Sequence, residues 1–292
     1  MVRRPEPAHL FFNRMNQHTI RPELREWIVS TSRSGCSLSD LLKMLKDAGY
    51  GGEQSRQIVA RVLNLPLATV MAASKAKAVG LRTRHPQAPV ETVDGHPVRV
   101  AVSTDLPVVR VLENLLTLQE CDDLVAEATP RLARSLTVDV DGRHQTDERR
   151  TSQGMFFTIG ETPLVQRIEQ RIANLLAIPV NHGEGLQILH YQAGQEYEPH
   201  FDWFNPDQPG YSAVTARGGQ RIASVVMYLN TPEEGGGTAF PRIGLTVTAM
   251  RGSAVYFAYD SGDESSLHAG LPVLKGEKWI ATKWLRERPY QA

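Results

Sequence analysis

Residues 186–202 read LQILHYQAGQEYEPHFD and open the half of the chain that decides its fold. Their first run, LQILHY, is the earliest of five short runs rich in β-branched and aromatic residues, which Gly, Pro and Asp separate. The other four are IASVVMYLN (222–230), LTVTAM (245–250), SAVYFAY (253–259) and KWIATKWL (278–285). Amphipathic helical patterns lie before them, from Thr117 to Ala128 and from Leu164 to Leu176. This order predicts an α+β domain with an antiparallel double-stranded β-helix, or jelly-roll, backed by helices.

The N-terminal region has a different pattern, which predicts an all-α module. Its short amphipathic stripes begin at Pro22, at Leu38 behind the N-cap Ser37, at Glu53 and at Leu67. Residues 84–107 then carry four prolines and little periodicity, which is typical of a linker. We therefore expect an N-terminal helical module with a Pro-rich linker over residues 1–105 and a second domain over residues 106–292. Basic residues near the end of the module leave DNA binding open, although docking, dimerisation or substrate capture is favoured.

Composition excludes several classes of protein. The 292 residues contain 32 Lys+Arg and 32 Asp+Glu, so the formal net charge is zero. Binding to nucleic acid usually requires a basic excess, so a nucleic-acid partner is disfavoured. No apolar run reaches the length of a signal peptide or a membrane span, so we expect no membrane partner. Cys36 and Cys121 form no CxxC pattern, and we expect a reducing, cytoplasmic location without a disulfide framework.

The opening stretch ends in a His-x-Asp motif that is typical of metal binding. In extended backbone, residues i and i+2 point to the same side, so His200 and Asp202 can bind one metal ion. His268 borders a later β run and is the candidate third ligand. Two histidines and one carboxylate leave three octahedral positions open, which is the donor set of non-haem Fe(II) oxygenases. His190 is expected on the opposite strand face and His182 in a loop, so neither is assigned to the metal.

A lysine follows the third candidate ligand at the start of the last β run. Lys278 shares one face of that run with three other side chains by period-two alternation, those of Ile280, Thr282 and Trp284. Burying an ammonium group without a counter-charge is costly, and no acidic residue shares this face. A dicarboxylate co-substrate could supply the missing negative charge.

Three separated blocks carry a resemblance to a known family. They are YQAGQEYEPHFDWF (191–204), RIASVVMYLNTPEEGGGTAFP (221–241) and SLHAGLPVLKGEKWIATKW (266–284). In this order they resemble the prolyl 4-hydroxylase group of 2-oxoglutarate/Fe(II) dioxygenases, over about residues 108–292. The resemblance implies a double-stranded β-helix that uses Fe(II), 2-oxoglutarate and O₂, with ascorbate as a reductant. It implies that His200, Asp202 and His268 bind iron, and that Lys278, Tyr191 and Thr238 bind 2-oxoglutarate.

The same resemblance implies a peptide groove. Its candidate residues are Arg150, Ser152, Glu184, Tyr197 and Arg221. Each of these residues is equally compatible with a polar surface or loop-anchoring role. Residues 203–220, WFNPDQPGYSAVTARGGQ, follow the metal motif and form a candidate lid or an irregular connection.

The leading hypothesis for function is hydroxylation of a prolyl residue in a peptide or protein, with release of succinate and CO₂. The alternative is a hydroxylase of a free amino acid or other small metabolite in a biosynthetic pathway, because its iron and 2-oxoglutarate residues would be the same. A non-catalytic β-helix and a nucleic-acid demethylase are less favoured. The sequence is compatible with a homodimer and leaves the oligomeric state open.

Overall fold

The computed structural model describes residues 20–33, 38–75, 82–134, 136–138, 144–146, 152–260 and 262–291. The chain divides into two compact units, Met1–Gly80 and Leu81–Ala292. Of the features singled out above, Cys36, the Ser37 cap and Arg150 lie outside the described residues. None of the described helices combines the length and the apolar character that a membrane span requires.

In the first unit, the described residues form helices where the amphipathic stripes predict them. The helices are α1 Pro22–Arg33, α2 Leu38–Asp47, α3 Gly52–Val62 and α4 Leu67–Lys75. Each contributes apolar side chains to one small core, and Ile28, Leu45, Val59 and Val70 are its most buried members. Helices this short are marginal alone, so this shared core supplies most of their stability.

The second unit combines three described helices with short antiparallel strands. The helices are α5 Leu118–Ala128, α6 Pro163–Leu176 and α7 Tyr211–Ala216. The strands are β1 Val90–Val93, β2 His96–Asp105, β3 Val108–Glu113, β4 Ala133–Arg134, β5 Leu136–Val138, β6 His144–Thr146, β7 Gln153–Phe157, β8 Leu186–Tyr191, β9 Tyr197–His200, β10 Arg221–Tyr228, β11 Glu234–Gly235, β12 Thr238–Phe240, β13 Leu245–Val247, β14 Ala254–Ala258, β15 His268–Gly270, β16 Val273–Lys275 and β17 Lys278–Arg286. The predicted capping box of α5 is present, with Thr117 and Glu120 each bonding the other's backbone N–H.

Two antiparallel sheets organise this unit. The larger sheet has the strand order β1-β2-β3-β14-β10-β17-β8-β7-β4, and the smaller has the order β13-β12-β15-β9. Two-stranded ribbons, β11-β16 and β5-β6, complete the pairing. This mixed arrangement of helices and antiparallel sheets is consistent with the expected jelly-roll core.

Side-chain alternation on the strands separates two cores. On β10, Ala223 and Val225 pack in a cluster with apolar residues of α5 and α6. The alternate residues Val226 and Tyr228 belong to a second cluster that includes Phe240 from the smaller sheet. A period of two therefore places one strand face against the helices and the other between the sheets, where the candidate site lies.

The boundary expected near residue 105 is corrected by the structure, because residues 90–105 are not a linker. They form β1 and β2, which pair with each other and then with β3 in the larger sheet. Asp94 and Gly95, at φ 51° and 78°, form the two-residue turn of the β1–β2 hairpin. Pro97 is tolerated close to this turn, although prolines in this stretch suggested a linker.

Candidate metal centre

The three predicted ligands converge between β9 and β15. Antiparallel pairing places His268, the first residue of β15, directly opposite His200, the last residue of β9. Asp202 follows two residues later and returns its carboxylate to the same point. Its oxygens lie 3.8 Å from Nε2 of His200 and 3.7 Å from Nε2 of His268. One ligand atom from each of the three residues lies within 4.8 Å of the others, so together they could hold one metal ion.

Backbone carbonyls orient both imidazoles. Nδ1 of His200 lies 2.7 Å from the Glu198 carbonyl, and Nδ1 of His268 lies 3.1 Å from the Ser266 carbonyl. Because a carbonyl only accepts, each Nδ1 carries the proton and each Nε2 keeps its lone pair toward the shared point. Such outer contacts fix the tautomer that a metal requires.

The carboxylate of Asp202 is held by a buried hydroxyl. Ser224 donates from Oγ to Oδ2 of Asp202 over 2.5 Å and lies 2.8 Å from the Tyr259 hydroxyl. Burial raises the pKa of Asp202, but its interactions with His268, His200 and Arg221, with the Ser224 hydrogen bond, lower it overall to about 2. Asp202 is therefore ionised at neutral pH, which is the state that ligates a cation.

A buried ammonium group lies in the larger sheet. Lys278 begins β17, pairs with Tyr191 of β8, and places Nζ 5.3 Å from the centre of the Tyr191 ring. The residue is 2% exposed, and burial lowers the pKa of Lys278 from 10.5 to about 8. Among the described residues, no carboxylate lies within ion-pair distance of this ammonium. Its surroundings thus lack the negative charge that a bound dicarboxylate would bring.

Two glycines leave room beside this lysine. A Cβ on Gly236 would lie 3.2 Å from Cδ of Lys278, and one on Gly270 would lie 3.7 Å from Nζ. Gly270 pairs with Thr238 of β12, so the Thr238 hydroxyl belongs to the same region. Tyr228 donates to Oγ1 of Thr238 over 2.8 Å, which leaves the Thr238 proton available to an acceptor. Lysine, threonine and the glycine-lined space fit an anionic group.

Three of the residues predicted for a peptide groove lie beside the ligand cluster. Arg221 donates from Nε and Nη2 to the two Glu184 oxygens over 2.6 and 2.9 Å. Burial opposes ionisation of Glu184, but the charges of Arg221 and Arg286 lower its pKa overall. Tyr197 stacks on the His200 ring with 3.6 Å between ring centres. Arg221 and Glu184 thus lie close enough to interact with the charge of Asp202, and Tyr197 contacts His200, although the role of all three in binding a peptide stays a prediction.

Ser152 and Arg150 have a different outcome. Ser152 precedes β7 and is fully buried, so it is not a surface residue. Arg150 lies outside the described residues. As expected, His190 turns away from the ligand cluster, stacking on Trp279 and contacting Glu277 over 2.7 Å. His182 contacts the Arg286 carbonyl instead of the cluster.

Sequence reasoning missed several residues that shape the site. They are Ser224, Tyr228, Tyr259, Phe204 and Arg286. A signal existed for Ser224, because it is a small polar residue on the β10 face that otherwise carries the large side chains of Val226 and Tyr228. For residues 203–220, the structure adds the helix α7 to the expected loop. The lid role of this segment stays a prediction.

The antiparallel double sheet, the two histidines and carboxylate, and the uncompensated lysine define an Fe(II)- and 2-oxoglutarate-dependent oxygenase. A sequence profile of the 2OG-Fe(II) oxygenase superfamily matches residues 186–286. "Probable prolyl 4-hydroxylase 10" of Arabidopsis thaliana is 42% identical over 209 residues, which are 63% of this chain and 71% of that protein. "Prolyl 4-hydroxylase 5" of the same plant is 40% identical over 205 residues, 62% of this chain and 69% of that protein.

At this identity and coverage, the chain belongs to the prolyl 4-hydroxylase family, and it is a 2-oxoglutarate/Fe(II)-dependent dioxygenase. Among solved structures, the viral collagen prolyl hydroxylase of Paramecium Bursaria Chlorella virus-1 is 27% identical. The similarity has a TM-score of 0.49 and covers 61% of this chain and 95% of that protein.

Proposed function

We propose that this dioxygenase hydroxylates a prolyl residue in a peptide or protein and releases succinate and CO₂. The observation that carries the chemistry is the pairing of a three-ligand cluster with a buried ammonium that has no described counter-charge. The names of the relatives at about 40% identity support the prolyl substrate.

His200, Asp202 and His268 would hold the iron. When bound, Fe(II) and 2-oxoglutarate supply the oxidation that inserts one atom of O₂ into a C–H bond. The protein fixes the donors, since backbone carbonyls set both imidazole tautomers and Ser224 holds the carboxylate. Ligands held in this way bind a metal with little rearrangement.

Lys278 would bind the distal carboxylate of 2-oxoglutarate. A carboxylate beside Nζ supplies the counter-charge that the buried ammonium lacks. Because 2-oxoglutarate is a dianion, its second carboxylate can bind here while its 2-oxo acid end faces the metal ligands. Thr238 accepts a hydrogen bond from Tyr228 and can therefore donate its own hydroxyl proton to the same carboxylate. Tyr191 pairs with Lys278 on the neighbouring strand β8. Neutral 2-oxo compounds would gain neither contact.

The peptide would bind on the other side of the metal, near Glu184 and Arg221. The two-point ion pair holds the Arg221 guanidinium in one orientation, which leaves its outer N–H groups, those of Nη1 above all, to donate to a substrate. Tyr197 offers a ring beside His200. Arg150 and Ser152 belong to the proposed groove through the resemblance alone.

The proposal is tested by incubating Fe(II)-loaded protein with 2-oxoglutarate and capped, proline-containing peptides. We expect succinate release to rise with peptide and the peptide to gain one oxygen atom at proline. Asp202→Ala should abolish both signals, whereas Asp123→Ala on α5 should retain them. Faster turnover of free proline than of capped peptides would refute the peptidyl assignment, and full activity of Asp202→Ala would refute the ligand set.

We extend the proposal to the rest of the chain. The shared core of α1–α4 supports a separate all-α module that serves in docking. The buried, free thiol of Cys121 supports a reducing, cytoplasmic location. The family resemblance supports ascorbate as the reductant that maintains Fe(II). Stimulation of turnover by ascorbate, and fractionation of cells that produce the protein, test the last two points.

A further inference from the structure

The five residues Glu287–Gln291, which we call the clasp, continue from β17 and lie along residues 203–220. Their backbone N–H groups donate to three carbonyls of that segment: Glu287 to Gln220 over 3.0 Å, Arg288 to Gly218 over 3.0 Å and Gln291 to Arg217 over 2.7 Å. The clasp thus continues past the C-terminal end of β17, an interior strand of the larger sheet, without forming a further regular strand. The clasp therefore binds the connection that links the metal ligand Asp202 to Arg221.

Side chains strengthen the same contact in both directions. Arg217 donates from Nε to the Gln291 carbonyl over 2.8 Å, and Arg288 donates to the Thr215 carbonyl over 3.1 Å. Arg286, directly before the clasp, donates to the Gly219 and Val214 carbonyls, each over 2.8 Å. Hydrogen bonds from charged donors are the stronger kind, so this is more than a loose surface contact.

Glycine allows the clasp to approach closely. At Gly219, where φ is +75°, a Cβ would lie 2.3 Å from Cγ of Glu287. At Gly218, a Cβ would lie 3.2 Å from Cδ2 of Tyr290. A larger residue at position 219 would force the Glu287 side chain out of its place and would itself adopt a strained, left-handed backbone conformation.

A column of stacked cations and rings joins the clasp to the site. The Arg286 guanidinium lies 5.5 Å from the Tyr290 ring centre and 4.8 Å from the Phe204 ring centre. The same Phe204 ring centre lies 4.8 Å from the Arg221 guanidinium, which in turn lies 4.0 Å from the Trp284 ring centre. The position of Phe204 is also fixed at its backbone, where the Gln220 amide bonds its N–H and its carbonyl, both over 2.7 Å.

We propose that the clasp positions residues 203–220, and through Phe204 the Arg221 guanidinium, for peptide binding. The proposal rests on the proposed function, because it concerns the peptide and not 2-oxoglutarate. Lys278 and Arg286 are the two ends of the nine-residue β17. At about 3.3 Å per residue they lie roughly 26 Å apart, so loss of the clasp leaves the 2-oxoglutarate end intact.

Two independent changes test the clasp. Gly219→Ala inserts a Cβ into Glu287, and its matched control is Gly95→Ala, where φ is +78° and no atom lies within 4 Å of the new Cβ. The double substitution Arg288→Ala with Tyr290→Ala removes one hydrogen bond and one ring, and Arg99→Ala on β2 is its charge-matched control. All proteins are assayed as full chains with a capped, proline-rich peptide. Succinate release without peptide and amide hydrogen exchange over residues 203–220 are measured in parallel.

We expect both clasp variants to raise the KM for peptide by about tenfold, the effect of losing one charge-assisted hydrogen bond. Peptide-independent succinate release and the KM for 2-oxoglutarate should stay within about twofold of the unaltered protein, while amide protection over residues 211–219 falls. A peptide KM equal to that of the controls, or equal losses with and without peptide, would overturn the positioning role. If the unaltered protein hydroxylates no peptide, the proposed function fails, and unchanged amide protection in the variants would then overturn the clasp itself.

Discussion

Replacing Lys278 by methionine should stabilise the protein free of metal and co-substrate while it removes the affinity for 2-oxoglutarate. Methionine keeps the length and apolar stem of the side chain, which is 2% exposed, and removes only the ammonium. Burial lowers the pKa of Lys278 from 10.5 to about 8. A difference of this size between the unfolded and folded pKa corresponds to a destabilisation of the folded protein by about 3 kcal/mol at neutral pH. Methionine carries no charge and avoids this destabilisation.

The pH dependence gives the sign of this effect. Because the folded pKa lies below the unfolded pKa, the unfolded chain binds more protons between about pH 8 and 10.5. The stability of the unaltered protein therefore rises with pH through this window. The advantage of Lys278→Met should be about 3 kcal/mol below pH 8 and should vanish as the pH approaches 10.5.

Denaturant unfolding at pH 7 and near pH 10, monitored by tryptophan fluorescence, measures this difference. Lys275→Met is the control, because Lys275 is largely exposed and pairs with Glu233 at the surface. With metal present, 2-oxoglutarate should stabilise the unaltered protein and the control, but its affinity for Lys278→Met should be at least about 100-fold weaker. A variant less stable than the parent at pH 7, or a gain that is equal at both pH values, would show that the buried ammonium is not uncompensated.

Three further results are expected. Ser224→Ala removes the hydrogen bond to Asp202 and should raise the Fe(II) concentration needed for half-maximal turnover by about 10- to 100-fold. An unchanged iron titration would contradict that role. The affinity for 2-oxoglutarate, measured calorimetrically, should be constant below about pH 8 and then fall by up to about tenfold per pH unit as Lys278 loses its proton; a flat profile above pH 8 would exclude charge pairing there. Lys283→Met should destabilise the fold by about 3–5 kcal/mol, opposite in sign to the Lys278 substitution, because it leaves Glu169 buried without its 2.5 Å partner; urea unfolding that shows no loss would refute this.

Strand faces could be predicted from the sequence because alternation is a local property of extended backbone. On β17, the predicted face of Lys278 and Ile280 does face the space between the sheets, since Ile280 belongs to that core. Its neighbours Trp279 and Ala281 belong to the core against the helices. Period two assigns a side to each residue without knowledge of its partner strands.

Partners across the sheet could not be predicted in the same way. Ser224 and Tyr259 meet because β10 pairs with β14, and that register is set by contacts between residues distant in sequence. The sequence indicates that Ser224 is a small polar residue among large side chains, but it does not indicate which carboxylate Ser224 contacts. The strands within residues 90–105 could not be predicted for a similar reason. The pair Asp94-Gly95 indicates a hairpin only when strands are expected on both sides of it.

The two ends of β17 differ in how their cations are compensated, and this difference separates the two substrates. Lys278 has no described counter-charge, so it favours a small molecule that brings a carboxylate of its own. At the other end, Arg221 and Arg286 share the Glu184 carboxylate and stack on aromatic rings, which reduces their attraction for dissolved anions. A guanidinium neutralised in this way, such as that of Arg221, still presents N–H donors to an uncharged peptide backbone. One strand can therefore recognise a dianion and a neutral chain at opposite ends, provided that the clasp keeps the second end in place.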